Sequence, residues 1–280
     1  MTIVENSSAE HDELTENPAE ISQRLVAARK SAAPLADFPG VLPGRLEDAY
    51  QIQSLSIESW PDTIGGWKVG GIPPAFRSRA GTDRLAGPIF QSLINDVEAG
   101  GCRSMPIFVR GFAAVEAEFV FRLGASIAPS QRVYSDEELQ GFVAALHIGA
   151  EIASSPMAEV NNLGPSCVVC DFGNNAGLLV GPGIPDWAAR SPDELSVAVS
   201  IDGELAGSAD ASAVDGGLLQ ALRFLVESCA KRGLVLNEGS YVSCGAVTGI
   251  HEVSTSSKAA VDFGEFGAFD VTFEAMMPVS

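Results

Sequence analysis

The sequence is poor in basic side chains. Its 280 residues contain 17 Lys and Arg against 36 Asp and Glu, which gives a formal net charge of −19 at pH 7. Binding to a phosphate backbone or to an anionic membrane surface depends on clustered Lys and Arg. The composition therefore argues against nucleic acid and membranes as partners.

Long apolar runs are also missing. No run approaches the roughly 18 residues that a membrane-spanning helix needs. Residues 1–20 are acidic and contain neither the basic nor the apolar region of a signal peptide. We therefore expect a cytoplasmic protein.

Cysteine and histidine are too scarce and scattered for a thiolate or imidazole metal site. The five cysteines are an odd number for a disulfide framework, so we expect reduced thiols. Cys167 and Cys170 have the only metal-like spacing. Because no second pair accompanies them and valines separate them, we predict a strand with buried thiols there.

The patterns that are present predict an α+β protein in three parts. Residues 1–17 are acidic and lack apolar periodicity, which predicts a mobile tail. Residues 18–85 carry two amphipathic patterns, the first with Asn17 as N-cap and Pro18 at the first helical position, and form a helical N-terminal part. Residues 86–280 alternate short β-like runs with glycine and form a β-rich catalytic domain of mixed or antiparallel sheet.

Three local signals refine the catalytic domain. Ser135 and Glu138 form a possible capping box for a helix that we expect to run to about Leu146. A second helix over residues 216–233 should end at Gly233. The Asp202–Gly203 pair predicts a β-hairpin turn.

Carboxylates stand inside two apolar strand patterns. Glu116 and Glu118 lie two residues apart in the run 113–123, so strand alternation places both on one face, about 7 Å apart. Glu151 is a third, in the alternating run 147–152, on the same face as His147. Three convergent carboxylates would form an oxygen-only site for Mg²⁺ or Mn²⁺. A solvated face of an antiparallel sheet explains the same pattern equally well.

Five short motifs together resemble a known family. They are GWKVG (66–70), EAEFVF (116–121), GAEIASS (149–155), DFGNNAG (171–177) and CGAVTGI (244–250). In this order and spacing, the chain from Ala49 to Phe273 resembles the fumarylacetoacetate hydrolase superfamily, in its branch of 2-oxopent-4-enoate hydratases and 4-oxalocrotonate decarboxylases. The resemblance implies a mixed β-sandwich roll with a metal at its open end and a helical N-terminal part that helps enclose the substrate.

The resemblance also implies roles for individual residues. Glu116, Glu118 and Glu151 match the family's ligands for Mg²⁺ or Mn²⁺, and Lys68 matches a lysine that binds the substrate carboxylate or delivers a proton. Asn174 and Asn175 match a segment that contacts the carboxylate end of the substrate, although Asn-Asn-Ala-Gly is also an ordinary turn sequence. Gly245 should back the substrate, and Thr248 should hydrogen bond in the site or cap the turn.

Departures from the family pattern put the reaction in question. Leu85 stands where hydratases carry an acid, and Asp83 is the candidate replacement. Hydrolases of C–C bonds in the superfamily use a histidine before the Glu-x-Glu pair, and no histidine lies between His11 and His147. For His147 we favour a core role over one near the metal.

The first expectation is a metal-dependent lyase of small 2-oxo acids or 2-hydroxydienoates, specifically a 2-oxopent-4-enoate-type hydratase. The alternatives are a 4-oxalocrotonate-type decarboxylase, an acylpyruvate C–C hydrolase and a non-catalytic partner subunit. We further expect a homo-oligomer or a complex with a related hydratase or decarboxylase.

Overall fold

The computed structural model describes residues 17–279, so the predicted acidic tail lies outside the described residues except for Asn17. The helices of the described part are α1 Pro18–Ser31, α2 Leu46–Ser59, α3 Pro74–Ala80, α4 Asp136–Gly141, α5 Pro165–Cys170 and α6 Leu218–Lys231. Its strands are β1 Ile64–Gly71, β2 Arg84–Phe90, β3 Ile94–Asp96, β4 Cys102–Ile107, β5 Phe112–Leu123, β6 Val143–Ser155, β7 Asn175–Gly183, β8 Ser196–Ile201, β9 Glu204–Asp210, β10 Tyr241–Ser243, β11 His251–Glu252, β12 Lys258–Asp262 and β13 Ala268–Ala275.

Two mixed sheets pack against each other. The larger has the order β2-β1-β10-β5-β6-β7-β3, with β11 also pairing with β5, and the smaller has the order β4-β13-β12-β8-β9. The β1–β10, β3–β7 and β4–β13 pairs are parallel and the others are antiparallel. The α+β class and the mixed β-sandwich roll are therefore confirmed.

The two faces of the central strand β5 have different surroundings. On one face Val115, Ala117, Phe119 and Phe121 enter the main core with the smaller sheet, where Phe119 meets Phe263 at 5.3 Å between ring centroids. Burial of these large apolar side chains supplies most of the driving force for sheet packing. Because side chains alternate, the two glutamates necessarily lie on the opposite face.

Helices cover that opposite face. At one end of β5, Ala114 belongs to a second apolar core that includes Leu25 of α1, Ile52 of α2 and Val169 of α5. At the other end, Val120 packs in a separate small apolar cluster with Ile89, Leu178 and Val180. The glutamates therefore lie between two apolar patches and are not on a solvated sheet face.

The cap and turn predictions are confirmed. The Asn17 side chain accepts from the N–H of Ala19 at the start of α1, and both bonds of the Ser135–Glu138 capping box form. Asp202 and Gly203 have φ angles of 53° and 88°, the positive values of a type I′ turn, between β8 and β9.

Two predicted boundaries and one predicted element type are wrong. The boundary between residues 85 and 86 falls inside β2, and β1 belongs to the larger sheet although it lies within the supposed helical part. The predicted helix to Leu146 ends at Gly141, because residues from Val143 onward pair with β5. Residues Cys167 to Cys170 are helical, since Gly164 and Pro165 start α5 there, although both thiols are buried as expected.

Among residues 17–279, no helix combines the length and apolar character needed to cross a membrane.

Candidate metal and substrate site

The register between β5 and β6 brings the three predicted metal ligands together. Glu116 lies directly opposite Glu151, and Glu118 lies opposite Gly149. One carboxylate oxygen from each glutamate lies within 4.8 Å of the other two, and all three residues are buried. The distance and the oxygen-only donor set suit a hard divalent cation.

The burial of this cluster strongly perturbs its protonation. Desolvation raises the pKa of Glu116 to about 7, and the charge of Glu151 adds to the increase while that of Lys68 opposes it. Desolvation, followed by repulsion from Glu151 and Glu116, raises the pKa of Glu118 well above its usual range. Three ionised carboxylates therefore carry an electrostatic cost that a bound cation would remove.

Two buried oxygens of the cluster, Glu118 Oε1 and Glu151 Oε2, have no hydrogen-bond partner among the described residues, and Lys68 lies beside the second. Glu118 Oε2 accepts from Ser243 Oγ at 2.5 Å and from the Gly245 N–H at 2.8 Å. Glu118 Oε1 is buried and has no hydrogen-bond partner among residues 17–279. Buried polar atoms are ordinarily partnered, so this orphaned carboxylate oxygen fits the position of a metal ligand.

Lys68 reaches the cluster from the neighbouring strands. β1 pairs with β10 and β2, and the Lys68 side chain is only 4% exposed. Its Nζ lies 3.2 Å from Glu151 Oε2 and donates to Asn174 Oδ1 at 3.3 Å. Burial lowers the pKa of this ammonium, but the charges of the three glutamates outweigh burial and raise its pKa above the ordinary value. Without a metal, the glutamates therefore hold Lys68 in its cationic form.

Close backbone approach allows the loop after α5 to lie beside Lys68. A Cβ built on Gly87 would lie 2.2 Å from the carbonyl oxygen of Phe172, and one on Gly173 would lie 3.0 Å from Lys68 Cδ. The loop brings in both predicted asparagines: Asn174 contacts Lys68, and Asn175 Nδ2 donates to Glu151 Oε1 at 2.9 Å. The two asparagines are thus within the site.

A cavity of about 280 Å³ opens beside Lys68 and Glu116. Its other lining residues are Gly70, Gly71, Pro73, Phe76, Leu85, Asn161, Gly164, Pro165, Val168, Asn174, Ala246 and Ile250. Lys68 and Glu116 are the only ionisable residues in this described lining. The remainder of the wall is mainly apolar, which is typical of a small-molecule site with few polar anchors.

Of the nine predicted site residues, three line this cavity, namely Lys68, Glu116 and Asn174, and four more belong to the adjoining glutamate cluster or bond to it, namely Glu118, Glu151, Asn175 and Gly245. Asp83 and Thr248 do neither. The Asp83 side chain is 48% exposed and pairs with Arg84 at 3.0 Å, so Asp83 does not replace the acid absent at Leu85, which itself lines the cavity. Thr248 Oγ1 bonds to His251 Nε2 at 2.9 Å and is absent from the lining.

His147 lies outside the cavity, as the sequence favoured, but it is half-buried and its Nε2 has no hydrogen-bond partner among the described residues, so it is not a satisfied core histidine. It lies on β6 opposite Val120 of β5, four residues before Glu151. Its Nδ1 bonds to the Gly181 carbonyl oxygen at 2.9 Å, and its ring packs edge-on against Tyr241 at 6.1 Å between centroids. Neither described histidine lines the cavity.

Sequence reasoning missed four residues of the site: Arg29, Asn161, Asp171 as an ion-pair partner, and Ser243. Arg29 carried a usable signal, because it continues the Ile21 and Leu25 stripe at a spacing of four residues and so belongs to the buried face of α1. Ser243 directly precedes the motif at 244–250. Asn161, which accepts from Asn174 Nδ2 at 3.2 Å, had no local signal.

A larger cleft of about 920 Å³ lies between α2 and α6, away from this chemistry. None of the nine predicted site residues lines it. Of these two cavities, the smaller is the one lined by a residue of the metal-ligand cluster, Glu116, and by the motif residues Lys68 and Asn174. We therefore take the smaller cavity as the functional site.

Comparison with curated proteins finds two hydratases. No family model matches the chain. A 2-keto-4-pentenoate hydratase of Paraburkholderia xenovorans (strain LB400) is 25% identical over 235 residues, covering 81% of this chain and 84% of the relative. The 2-keto-4-pentenoate hydratase 3 of Pseudomonas putida gives the same identity and coverage.

Solved structures with the same fold hold divalent cations. The 4-oxalocrotonate decarboxylase of Pseudomonas putida G7, complexed with magnesium and adipate, gives a TM-score of 0.76 at 19% identity, covering 92% of this chain and 97% of that one. A fumarylpyruvate hydrolase of Pseudomonas aeruginosa with Mn²⁺ and pyruvate gives 0.52 at 15% identity, covering 79% and 94%. The acidic triad of this chain, Glu116, Glu118 and Glu151, could bind a divalent cation in the same way.

Proposed function

Because the chain belongs to the fumarylacetoacetate hydrolase superfamily, we propose that it is a lyase that requires Mg²⁺ or Mn²⁺ and acts on small 2-oxo acids or 2-hydroxydienoates. Within that class we propose a hydratase of the 2-oxopent-4-enoate type. The curated relatives support this choice by name, and the cavity supports it by its chemistry.

The polar residues in and beside the cavity suit the head of a 2-oxo acid. Glu116, Glu118 and Glu151 would hold the cation, which when bound would supply a Lewis acid for the oxygens of the substrate. Lys68, kept protonated by the glutamates, would bind the substrate carboxylate or give a proton to the carbon skeleton. Asn174 would fix the position of the ammonium through its 3.3 Å hydrogen bond.

The mainly apolar lining of the cavity is the observation that favours hydration over decarboxylation. Phe76, Leu85, Val168 and Ile250 line it, and Lys68 is the only cation in the described lining. A second carboxylate on the substrate would therefore be desolvated without a partner, which is costly. An uncharged alkenyl tail would bury apolar surface there instead.

A decarboxylase is the second candidate, and the fold match to the 4-oxalocrotonate decarboxylase is the observation that supports it. That structure is complexed with magnesium and adipate, a dicarboxylate. Lys68 is the only cation among the described lining residues of this cavity, and for this reason we rank decarboxylation second.

Turnover of purified protein with a panel of 2-oxo acids tests the proposal. With Mg²⁺ or Mn²⁺, a hydratase removes the ultraviolet band of 2-hydroxypenta-2,4-dienoate without releasing CO₂. CO₂ release from 4-oxalocrotonate would identify a decarboxylase, and cleavage of acylpyruvates would identify a hydrolase. Metal binding without turnover on the whole panel would identify a non-catalytic partner subunit and refute the lyase.

A charge variant at the cavity mouth tests the argument from the apolar wall. Ile250 lines the cavity and is 53% exposed, so Ile250→Lys adds a cation without burying it. It should tighten binding of the dicarboxylate 2-oxoadipate several-fold relative to 2-oxohexanoate, since one ion pair near the surface contributes about 1 kcal/mol. Ile250→Gln is the uncharged control. An equal effect of both variants would show that the second carboxylate is not excluded by lack of charge.

We also propose that the protein is a homo-oligomer or associates with a related hydratase or decarboxylase. In the C-terminal strand β13, Phe269, Val271 and Phe273 are used in the core, whereas Met277 beyond it is 73% exposed. Sedimentation that shows a monomer at micromolar concentration would contradict the homo-oligomer.

A further inference from the structure

Arg29, on the buried face of α1, forms a bidentate ion pair with Asp171 in the loop after α5. Its Nε lies 2.5 Å from Asp171 Oδ1, and its Nη2 donates to Asp171 Oδ2 at 2.9 Å. The arginine and aspartate side chains are 5% and 0% exposed. Two parallel charge-assisted bonds of this kind fix orientation as well as distance.

The same guanidinium also binds the main chain at both ends of that loop. Nη2 donates to the Asp171 carbonyl oxygen at 2.9 Å, and Nη1 donates to that of Asn175 at 2.9 Å. A further bond of 3.2 Å from Nη2 reaches the carbonyl oxygen of Ser154, three residues after Glu151 on β6. The guanidinium therefore ties α1, the loop and the metal-bearing strand to one point.

The loop between these contacts has a backbone that needs support. Phe172, Gly173 and Asn174 have φ angles of 55°, 69° and 55°, three left-handed conformations in succession. Two of the three residues carry a Cβ, which disfavours this conformation. Such a backbone persists only where its surroundings over-determine it, and the Arg29 contacts at Asp171 and Asn175 do so.

The loop places two side chains against the functional groups of the site. Asn175 Nδ2 donates to Glu151 Oε1 at 2.9 Å, and Asn174 Oδ1 accepts from Lys68 at 3.3 Å. We infer that Arg29 is a positioning residue: by holding residues 171–175, it orients Asn175 against Glu151 and so sets the affinity of the acidic triad for a divalent cation. This inference depends on the metal-binding part of the proposed function and not on the identity of the substrate.

Replacing Arg29 by lysine distinguishes a positioning role from simple compensation of the Asp171 charge. Arg29→Lys keeps a cation for Asp171, but a single ammonium does not reproduce the planar fork that joins Asp171 to the Asn175 carbonyl oxygen. A role limited to neutralising Asp171 predicts unchanged metal binding in this variant. A positioning role predicts weakened binding through Asn175.

A double-mutant cycle on Mn²⁺ affinity is the test. Mn²⁺ alone is titrated into metal-free protein, and the free ion is measured by electron paramagnetic resonance, with Asn175→Ala, Arg29→Lys and the double variant. Loss of a group that orients a metal ligand costs roughly tenfold or more in affinity. Arg24→Lys, an exposed arginine of the same helix, is the matched control and should bind Mn²⁺ as the wild type does.

If Arg29 acts through Asn175, each single variant weakens Mn²⁺ binding about tenfold and the double variant is no weaker than the singles. A double variant weakened about a hundredfold, or an Arg29→Lys variant that binds Mn²⁺ as the wild type does, would overturn the inference. Wild-type protein that binds no Mn²⁺ would overturn both this inference and the proposed function. Wild-type protein that binds Mn²⁺ without turning over any 2-oxo acid would refute only the lyase.

A second variant guards against misfolding of Arg29→Lys. Arg29→Met combined with Asp171→Asn removes both buried charges together, so neither is left uncompensated. This pair lacks the contacts to both ends of the loop and should show the same tenfold loss of Mn²⁺ affinity, again without a further loss when Asn175→Ala is added. Wild-type affinity in the neutral pair would refute the positioning role.

Discussion

Replacing Glu118 by glutamine should stabilise the metal-free protein while abolishing its response to metal. The ligand atoms of the three glutamates lie within 4.8 Å of one another. At an effective dielectric constant of about 20, two unit charges at that distance repel by about 3 kcal/mol. Glu118 faces two carboxylates and one ammonium, so about one such repulsion stays uncompensated.

The substitution is conservative for the surrounding hydrogen bonds. A glutamine oxygen still accepts from Ser243 Oγ and from the Gly245 N–H, the two donors that bind Glu118 Oε2. Removal of about 3 kcal/mol of repulsion should raise the melting temperature in EDTA at pH 8 by roughly 6–12 °C for a domain of this size. Glu204→Gln, at an exposed position of β9, gives the same charge change away from the site and should have little effect.

Calorimetry with added Mg²⁺ completes the experiment. Wild-type protein should gain about 2.7 kcal/mol at a Mg²⁺ concentration one hundred times the dissociation constant, because the ion binds only the folded state. The Glu118→Gln protein should gain little. A glutamine variant that is less stable than wild type in EDTA, or that responds normally to Mg²⁺, would refute the interpretation of the cluster as a metal site.

Two further predictions follow from the same electrostatics. The pKa of Glu116 is raised from 4.5 to about 7, so the stability that its protonated form contributes is fully present below about pH 4.5 and is lost as the pH rises through 7. In EDTA, urea unfolding should show a loss of about 2.5 kcal/mol of stability between pH 5 and pH 8 relative to Glu116→Gln. Parallel pH profiles of the two proteins would contradict this. Lys68→Met should lower turnover at least about 100-fold without weakening Mg²⁺ binding, because it removes a cation 3.2 Å from Glu151. Normal turnover of Lys68→Met would show that Lys68 has a structural and not a catalytic role. Lys68→Arg is the charge-preserving control.

Local features of the structure could be predicted where the controlling interactions are local. The Asn17 cap, the capping box at Ser135 and the hairpin turn at Asp202 each depend on bonds within a few residues. The placement of Glu116 and Glu118 on one face follows from strand alternation alone. These elements needed no knowledge of distant parts of the chain.

Predictions failed where a distant strand competed with a local preference. The helical pattern after Ser135 gives way at Val143, because pairing with β5 satisfies the backbone there and buries Leu146 and Ile148. Asp83 was proposed from its position near Leu85, yet its side chain turns to Arg84. Sequence distance could not show which way that side chain points.

By itself, the sequence determined the fold class, the alternation that pairs Glu116 with Glu118, and the motif residues of the site, since each is encoded by residue type and short spacing. Only the tertiary structure decided that the site is buried and that Glu151 and Lys68 meet there. The β5–β6 register places Glu151 opposite Glu116, and the β1–β10 pair carries Lys68 to within 3.2 Å of Glu151. Arg29 and Asp171, 142 residues apart, meet only once α1 packs on the larger sheet. Contacts of this kind depend on the packing of whole elements, which no local pattern specifies.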